Sequence, residues 1–449
     1  MMKITKLQGL ALILLWGLLT SLATAQSPSP LVSGSKPNII VLFADDLGYG
    51  DLVCYGGNKV ITPNIDRLAE EGMRFTDFLI PANVCGPSRA SLLTGRYPMR
   101  NGNPMFQGLD PKEITFPELL KEAGYTTSLI GKWHLGAHLE GSHPLDAGFD
   151  ESLMMEKKVL TRGRDEVIMD PVDFSQLTQI YTKEAIEFIE REKDGPFMLY
   201  LAHHIPHLPL APHPSFKKQS KLGVYADCIL ELDDSTGRIL QALKDNGIDD
   251  NTLVVFTSDN GAAARGSTGP LAGSKYITME GGHRVPGIFR WPGRIPAGTV
   301  SNTMIGSMDL FPLFCQLAGV ALPTDRVIDG RNIADILTGH STESPHAYFY
   351  YYNGRNLQCI RQGKWKLHLP RERSDMPFWG GRLMAKQVLK EPKLFNLDED
   401  IGEQHNVAAE YPEVLDALLQ KADEVRAELG DVDVEGSDMN PQSLLPPRS

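Results

Sequence analysis

PNIIVLFADD, residues 37–46, sets six consecutive apolar residues between Asn38 and the pair Asp45-Asp46. There is no alternation of apolar and polar positions, so both faces of the segment must be buried. A short, partly β-branched run of this kind reads as a strand inside a parallel sheet rather than one with a wet face. The pattern recurs in YTTSLIGK (125–132), PFMLYLAH (196–203) and TLVVFTSDN (252–260). Between these runs lie helical periodicities: ITPNIDRLAEEG, TFPELLKEAG, DFSQLTQIYTKEAIEFIER and YADCILELDDSTGRILQALKDNG. Strand alternating with helix predicts an α/β fold, with a large, mostly parallel sheet flanked by helices.

Each apolar run stops at residues able to do chemistry. They are Asp45-Asp46, then Lys132 and His134, then His203-His204, then Asp259-Asn260. Ligands of open α/β sheets bind beyond the carboxyl ends of the strands. A single polar strand end would read as contact with solvent, but four with matched chemistry point to one site.

The flanks of this region carry other signals. The opening MMKITKLQGLALILLWGLLTSLATAQ has a basic start, an apolar core and an Ala23-Thr24-Ala25 cleavage pattern. It predicts a signal peptide over 1–25, hence export to the periplasm or beyond the cell. No later stretch is long enough for a membrane span. SPSPLVSGSK then reads as a linker, giving 26–36. The 449-residue chain has a formal net charge of −12, which disfavours nucleic acid as a partner. An anionic substrate would need cations gathered locally against that field.

From about His340 the long helices cease. HAYFYYYN, LQCIRQGKWKLHLP and PKLFNLDED read as short strands, and PEVLDALLQKADEVRAELG as one amphipathic helix. The expectation is a catalytic domain over 37–340 and a small antiparallel sheet with one helix over 341–430. The polar remainder, 431–449, reads as a disordered tail.

Asp45, Asp46, Asp259 and Asn260 supply three carboxylates and an amide oxygen from two strand ends, a hard donor set suited to Ca²⁺ or Mg²⁺. The five cysteines, Cys54, Cys85, Cys228, Cys315 and Cys359, show neither zinc spacing nor the density of a disulfide scaffold. Cys85 stands apart in VCGPSRASLLTGR (84–96). Proline favours the first helical position, which predicts Cys85 at a helix N-terminus. There the dipole would lower a thiol's pKa or favour an anionic oxygen. An inert buried cysteine is the alternative on spacing alone.

C-G-P-S-R-A-S-L-L-T-G (85–95) resembles the signature of the type I sulfatases, C-x-P-S-R-x-x-x-x-T-G. ADDLGYGDLVCYGG, GKWHLG, HHIPHLPLAP, TSDNG and GSKYITMEGGHRVPGIFRWPG follow in the order of that family's motifs, and LFNLDEDIGEQHN is similar to its C-terminal end. The resemblance is to the arylsulfatase A and N-acetylgalactosamine-6-sulfatase types. It implies an alkaline phosphatase-like scaffold and hydrolysis of sulfate esters on sulfated carbohydrates or aryl sulfates. It also implies that Cys85 is oxidised to Cα-formylglycine, by a formylglycine-generating or anaerobic sulfatase-maturating enzyme. The aldehyde hydrate would be the nucleophile. One Ca²⁺ per site would be held by Asp45, Asp46, Asp259 and Asn260 with modified Cys85. By the same resemblance Arg89 would hold the formylglycine, Lys132 and His134 would contact its hydroxyls and the sulfate, and Lys275 would bind sulfate. Two histidines fit the family's H-x-P pattern. His207 is favoured as the acid that protonates the leaving oxygen, His204 is the reserve, and His203 is assigned to packing.

Two rival functions share these features. One is a phosphodiesterase or phosphonate hydrolase of the alkaline phosphatase superfamily. The other is a non-catalytic binder of sulfated glycans with an unmodified Cys85. Specificity is expected in the loops RNGNPMFQGLDPKE, HLEGSHPLDAGFD and RERSDMPFWGGRLMAKQ. Substrate identity, oligomeric state and cysteine pairing are left open.

Overall fold

The computed structural model describes Leu31 and residues 36–57, 59–263, 265–372 and 388–448. The predicted signal peptide, nearly all of the linker and most of the loop 371–387 lie outside the described residues. No helix among the described residues is long and apolar enough to cross a membrane.

Five parallel strands form the centre of a ten-stranded sheet: β1 (Asn38–Ala44), β2 (Thr126–Gly131), β3 (Glu151–Glu156), β4 (Phe197–Ala202) and β5 (Thr252–Ser258), in the order β5-β1-β4-β2-β3. Every residue of β1 is buried. Ile39, Val41 and Phe43 pack into one core, while Ile40, Leu42 and Ala44 pack into a second on the opposite face. This is why the sequence shows no alternation. The second core holds α2 (Phe174–Glu192) and α3 (Val224–Asp245); the first holds the apolar residues of α1 (Cys85–Thr94) and α4 (Leu310–Ala318).

The sheet is not parallel throughout. β6 (Gly287–Arg290) runs antiparallel to β5, and a hairpin, Val159–Arg162 with Glu166–Met169, extends the far edge antiparallel to β3. The large sheet is therefore mixed. The C-terminal part has the expected form: four antiparallel strands, β7 (Phe349–Asn353), β8 (Asn356–Gln362), β9 (Trp365–His368) and β10 (Lys393–Asn396), with α5 (Pro412–Leu429) packed on β8 and β9.

Between this sheet and the larger one lies a buried set of charges. Lys366 on β9 donates to Glu280 at 2.9 Å and to Glu403 at 3.3 Å, and Arg361 on β8 reaches Asp77 and Glu280. His368 pairs with Glu403, and the Tyr351 hydroxyl donates to Glu280.

The segment after α5 departs from expectation. Residues 431–448 are not a disordered tail; they dock on the stretch 99–110. Asn440 N–H donates to Met99 O at 2.9 Å, and Gln442 Nε2 donates to Gly102 O and Gly108 O. Gln107 Nε2 donates to Leu445 O at 2.9 Å, and Arg448 N–H to Phe106 O at 3.0 Å. A Cβ on Gly102 would lie 3.0 Å from the Asn440 and Gln442 side chains, so the glycine lets the segment approach. Polar composition suggested solvation, but here the polar groups satisfy a neighbouring loop's backbone.

Candidate active site

The strand register builds the site. Ala44 pairs with Ser258, Phe43 with Ala202, and Ala202 with Gly131. The residues that follow, Asp45, Asp259, His203 and Lys132, therefore leave the sheet along one edge. The turn after β2 requires Gly131, whose φ is +117° and where a Cβ would sit 1.8 Å from Ala202 O.

Cys85 is the first residue of α1, which is buried throughout and ends at Gly95 with φ +67°. Pro87 stands at the third helical position rather than the first. That position costs no helical bond, because the first N–H groups of a helix have no partner within it. Lys275 Nζ lies 3.6 Å from Cys85 Sγ. Burial pushes the Cys85 thiol up, against the opposing pull of Lys132 and Lys275. The expected lowering of its pKa at the helix terminus is thus overturned by desolvation.

The carboxylates meet beside it. One oxygen from each of Asp45, Asp46 and Asp259 lies within 4.8 Å of the others, and Cys85 Sγ, Asp45 and a His207 ring nitrogen are equally close. Asp46 has φ +67° and its N–H donates to Asp259 Oδ1 at 3.1 Å; Asn260 Nδ2 donates to Asp46 Oδ1 at 2.6 Å. Cations balance the cluster. Lys132 Nζ lies 2.5 Å from Asp45 Oδ2, and Lys275 Nζ 2.6 Å from Asp46 Oδ1. Arg89, fully buried, donates to Asp259 Oδ2 at 2.7 Å and to Lys132 O at 3.0 Å. Its hydrogen bonds thus tie a carboxylate at the end of β5 to the end of β2.

Burial would raise Asp45, but Lys132, His207 and Arg89 hold it below the ordinary carboxylate range. Asp259 is raised, by burial and then by the charge of Asp45. Lys275 is buried and still sits well above its ordinary value, because Cys85, Asp46 and Asp45 outweigh desolvation.

A cavity of about 510 Å³ opens over the cluster, lined by Cys85, Lys132, His134, His204, His207 and Lys275. His207 Nδ1 contacts Leu208 O, which leaves Nε2 3.8 Å from Asp46 Oδ2. His204 lies against the Tyr181 ring, its Nε2 buried without a partner, and burial followed by Lys132 and Arg89 holds it well below its ordinary pKa. His203 turns inward to Ser235 and is pushed down to about 3. The enclosure of the pocket, then Lys132, Arg89 and Lys275, hold His134 well below its ordinary value even though its ring is accessible.

Sequence reasoning did not single out the apolar part of the wall: Phe106, Met155, Phe174 and Tyr276. Phe106 lies in the first of the predicted specificity loops, and Tyr276 follows Lys275. The Phe106 ring sits against Gly86, where a Cβ would come within 2.7 Å, and 5.3 Å from the His134 ring. All five cysteines are free thiols.

An α/β sheet whose strand ends gather carboxylates, lysines and histidines around a cysteine at a helix mouth has the form of a hydrolase on an alkaline phosphatase-like scaffold. The sequence profile described as Sulfatase matches residues 37–320, and that described as the C-terminal region of aryl-sulfatase matches 344–448. The chain is 38% identical to an N-acetylgalactosamine-6-sulfatase of Canis lupus familiaris, over 88% of this chain and 85% of that one. It is 34% identical to a steryl-sulfatase of Rattus norvegicus, over 75% of each. A solved sulfatase structure from Pseudoalteromonas sp. superposes with a TM-score of 0.80 at 29% identity, covering 90% of this chain and 93% of the other. The chain belongs to the sulfatase family and is a sulfuric ester hydrolase.

Proposed function

We propose that the chain removes sulfate from carbohydrate esters outside the cytoplasm, using Cys85 in its Cα-formylglycine form and one Ca²⁺. A single observation carries this reading. Two oxygens in the cluster, Asp45 Oδ1 and Asn260 Oδ1, are buried and have no hydrogen-bond partner. An unmatched buried acceptor costs about 1–3 kcal/mol. Two of them among three carboxylates form a hard-oxygen donor set that fits a divalent cation. Asp45, Asp46, Asp259 and Asn260 would hold the Ca²⁺, beside modified Cys85. Bound there, the ion would offset negative charge on the transferring group.

The chain's own residues supply the rest. Arg89 fixes Asp259 relative to the end of β2. Lys132 and Lys275 place two ammonium groups at the cavity floor, where a sulfate ester's anionic oxygens need them. With Nδ1–H donating to Leu208 O, His207 as an imidazolium would carry a second proton on Nε2 for the departing oxygen. His134, held neutral by its surroundings, can accept a proton at the modified residue. His204 is held neutral too and wedged against Tyr181, which favours His207 over the reserve.

The carbohydrate assignment rests on likeness to the N-acetylgalactosamine-6-sulfatase. Mass spectrometry of the Cys85 peptide should find the aldehyde, and the active protein should prefer an aryl sulfate to the matched phosphate mono- and diesters. Cys85→Ala should lower sulfate-ester turnover by at least about 10³-fold while leaving the melting temperature near that of the parent. An unmodified thiol in fully active enzyme would sink the reading.

A further inference from the structure

The cavity has a second group of cations that the reaction at its floor does not use. Lys157 and Arg448 both line it, and neither has an ion-pair partner among the described residues. For Arg448 this stands out, since most of the arginines described are tied to carboxylates. Glu156, a carboxylate in the same wall, is engaged by His138 at 2.5 Å.

The backbone sets where both residues stand at the cavity. Lys157 and Lys158 form the two-residue loop between β3 and Val159–Arg162, with φ of +48° and +65°. Such hairpin turns ordinarily take Asn or Gly, and a lysine pair there carries a conformational cost of the kind found at functional sites. Arg448 is positioned by its own N–H on Phe106 O and by Gln107 on Leu445 O. The docked segment thus brings a guanidinium to a cavity otherwise walled by the main α/β part of the chain.

We propose that Lys157 and Arg448 form a subsite for a second anionic group, a carboxylate or a further sulfate, carried by the leaving group of the substrate. This deepens the sulfate-ester reading above and rests on it. Substrates that bear two anions at suitable spacing would then be selected over neutral-bodied esters, without any change in the groups at the cavity floor.

Two measurements on the matured enzyme test it. The first is the ratio of kcat/KM for 3-carboxy-4-nitrophenyl sulfate to that for 4-nitrophenyl sulfate. The second is calorimetric binding of the inert benzene-1,3-disulfonate and 3-sulfobenzoate against benzenesulfonate, which separates a sulfate-like from a carboxylate second anion. The parent should favour the dianions, and Arg448→Ala or Lys157→Ala should each cut the preference about tenfold, as expected for losing one charge-assisted hydrogen bond. Arg448→Lys should restore part of it, and the preference should shrink at high salt. A ratio that is the same in parent and both variants, with equal binding of mono- and dianions, overturns the subsite. If neither ester is hydrolysed but dianion binding still depends on Arg448, the reaction assigned to the floor fails and the subsite stands.

Discussion

The molecule holds two buried clusters of opposite charges, built from nearly the same residue types. At the strand ends, Asp45, Asp46 and Asp259 face Lys132, Lys275 and Arg89. At the junction of the two sheets, Asp77, Glu280 and Glu403 face Lys366, Arg361 and His368. They differ in how completely they are satisfied. None of the charged atoms named at the junction lacks a partner, whereas the strand-end cluster leaves Asp45 Oδ1, Asn260 Oδ1 and Arg89 Nε bare. The junction is closed, and the other cluster opens into a cavity. A cluster that only joins elements can satisfy itself, but one built to take an ion must leave some of its valences open.

Removing one charge tests this contrast hardest at the closed cluster. Lys366 is fully buried between Glu280 and Glu403. Lys366→Ala should destabilise the fold by about 3–5 kcal/mol, since it removes a buried ammonium that two carboxylates share and leaves Arg361 and His368 to compensate for it. Equilibrium unfolding in urea measures it, and a change under about 1 kcal/mol would mean that water reaches the junction.

The pH response should also separate the clusters. Burial would lower His368, but Cys359 and Glu403 raise it to about 9. The native state therefore keeps a proton that the unfolded chain gives up near pH 6.5. The resulting stability is fully present below pH 6.5 and is lost as pH climbs through 9, a loss of about 3 kcal/mol. Melting temperatures from pH 6 to 10 should show the decline, and His368→Gln should flatten it. A parent curve as flat as that of the variant would remove His368 from the account.

The open cluster should respond to Ca²⁺ instead. An ion that fills the bare positions binds only the folded chain, so about a hundredfold excess over Kd should add about 2.7 kcal/mol of stability. Asp46→Asn should weaken the response, and Lys366→Ala should not. Equal shifts in both variants would show that Ca²⁺ acts elsewhere.

Much of this was legible in the sequence because the central strands carry their chemistry at their ends. Once PNIIVLFADD and TLVVFTSDN are read as neighbouring parallel strands, Asp45 and Asp259 must emerge together. The junction was not legible, since Glu280, Arg361, Lys366 and Glu403 look like ordinary surface charges until two sheets close over them. The raised pKa of the Cys85 thiol escaped for the same reason: spacing shows a helix start but not how deeply it is buried. Residues 431–448 were misread because their anchors are mostly backbone carbonyls of 99–110, which no side-chain pattern reveals.

That segment also yields the smallest expected effect. Arg100 pairs with Asp438, whose side chain is 44% exposed, and with the exposed Glu428, while its Nε donates to the buried Asp329 at 3.1 Å. A partly exposed ion pair contributes little, and Arg100 keeps its other partners when Asp438 is lost. Asp438→Ala should therefore cost under about 1 kcal/mol. Asn440 and Gln442 would still hold the segment through Met99, Asp110, Gly102 and Gly108. Amide hydrogen exchange across 437–448 reads the difference. Protection should persist in Asp438→Ala and fall when Asn440 and Gln442 are both replaced by alanine, which would place the docking in uncharged hydrogen bonds. Loss of protection in Asp438→Ala alone would instead make the segment a third charge-held joint and leave Arg448's place at the cavity dependent on salt.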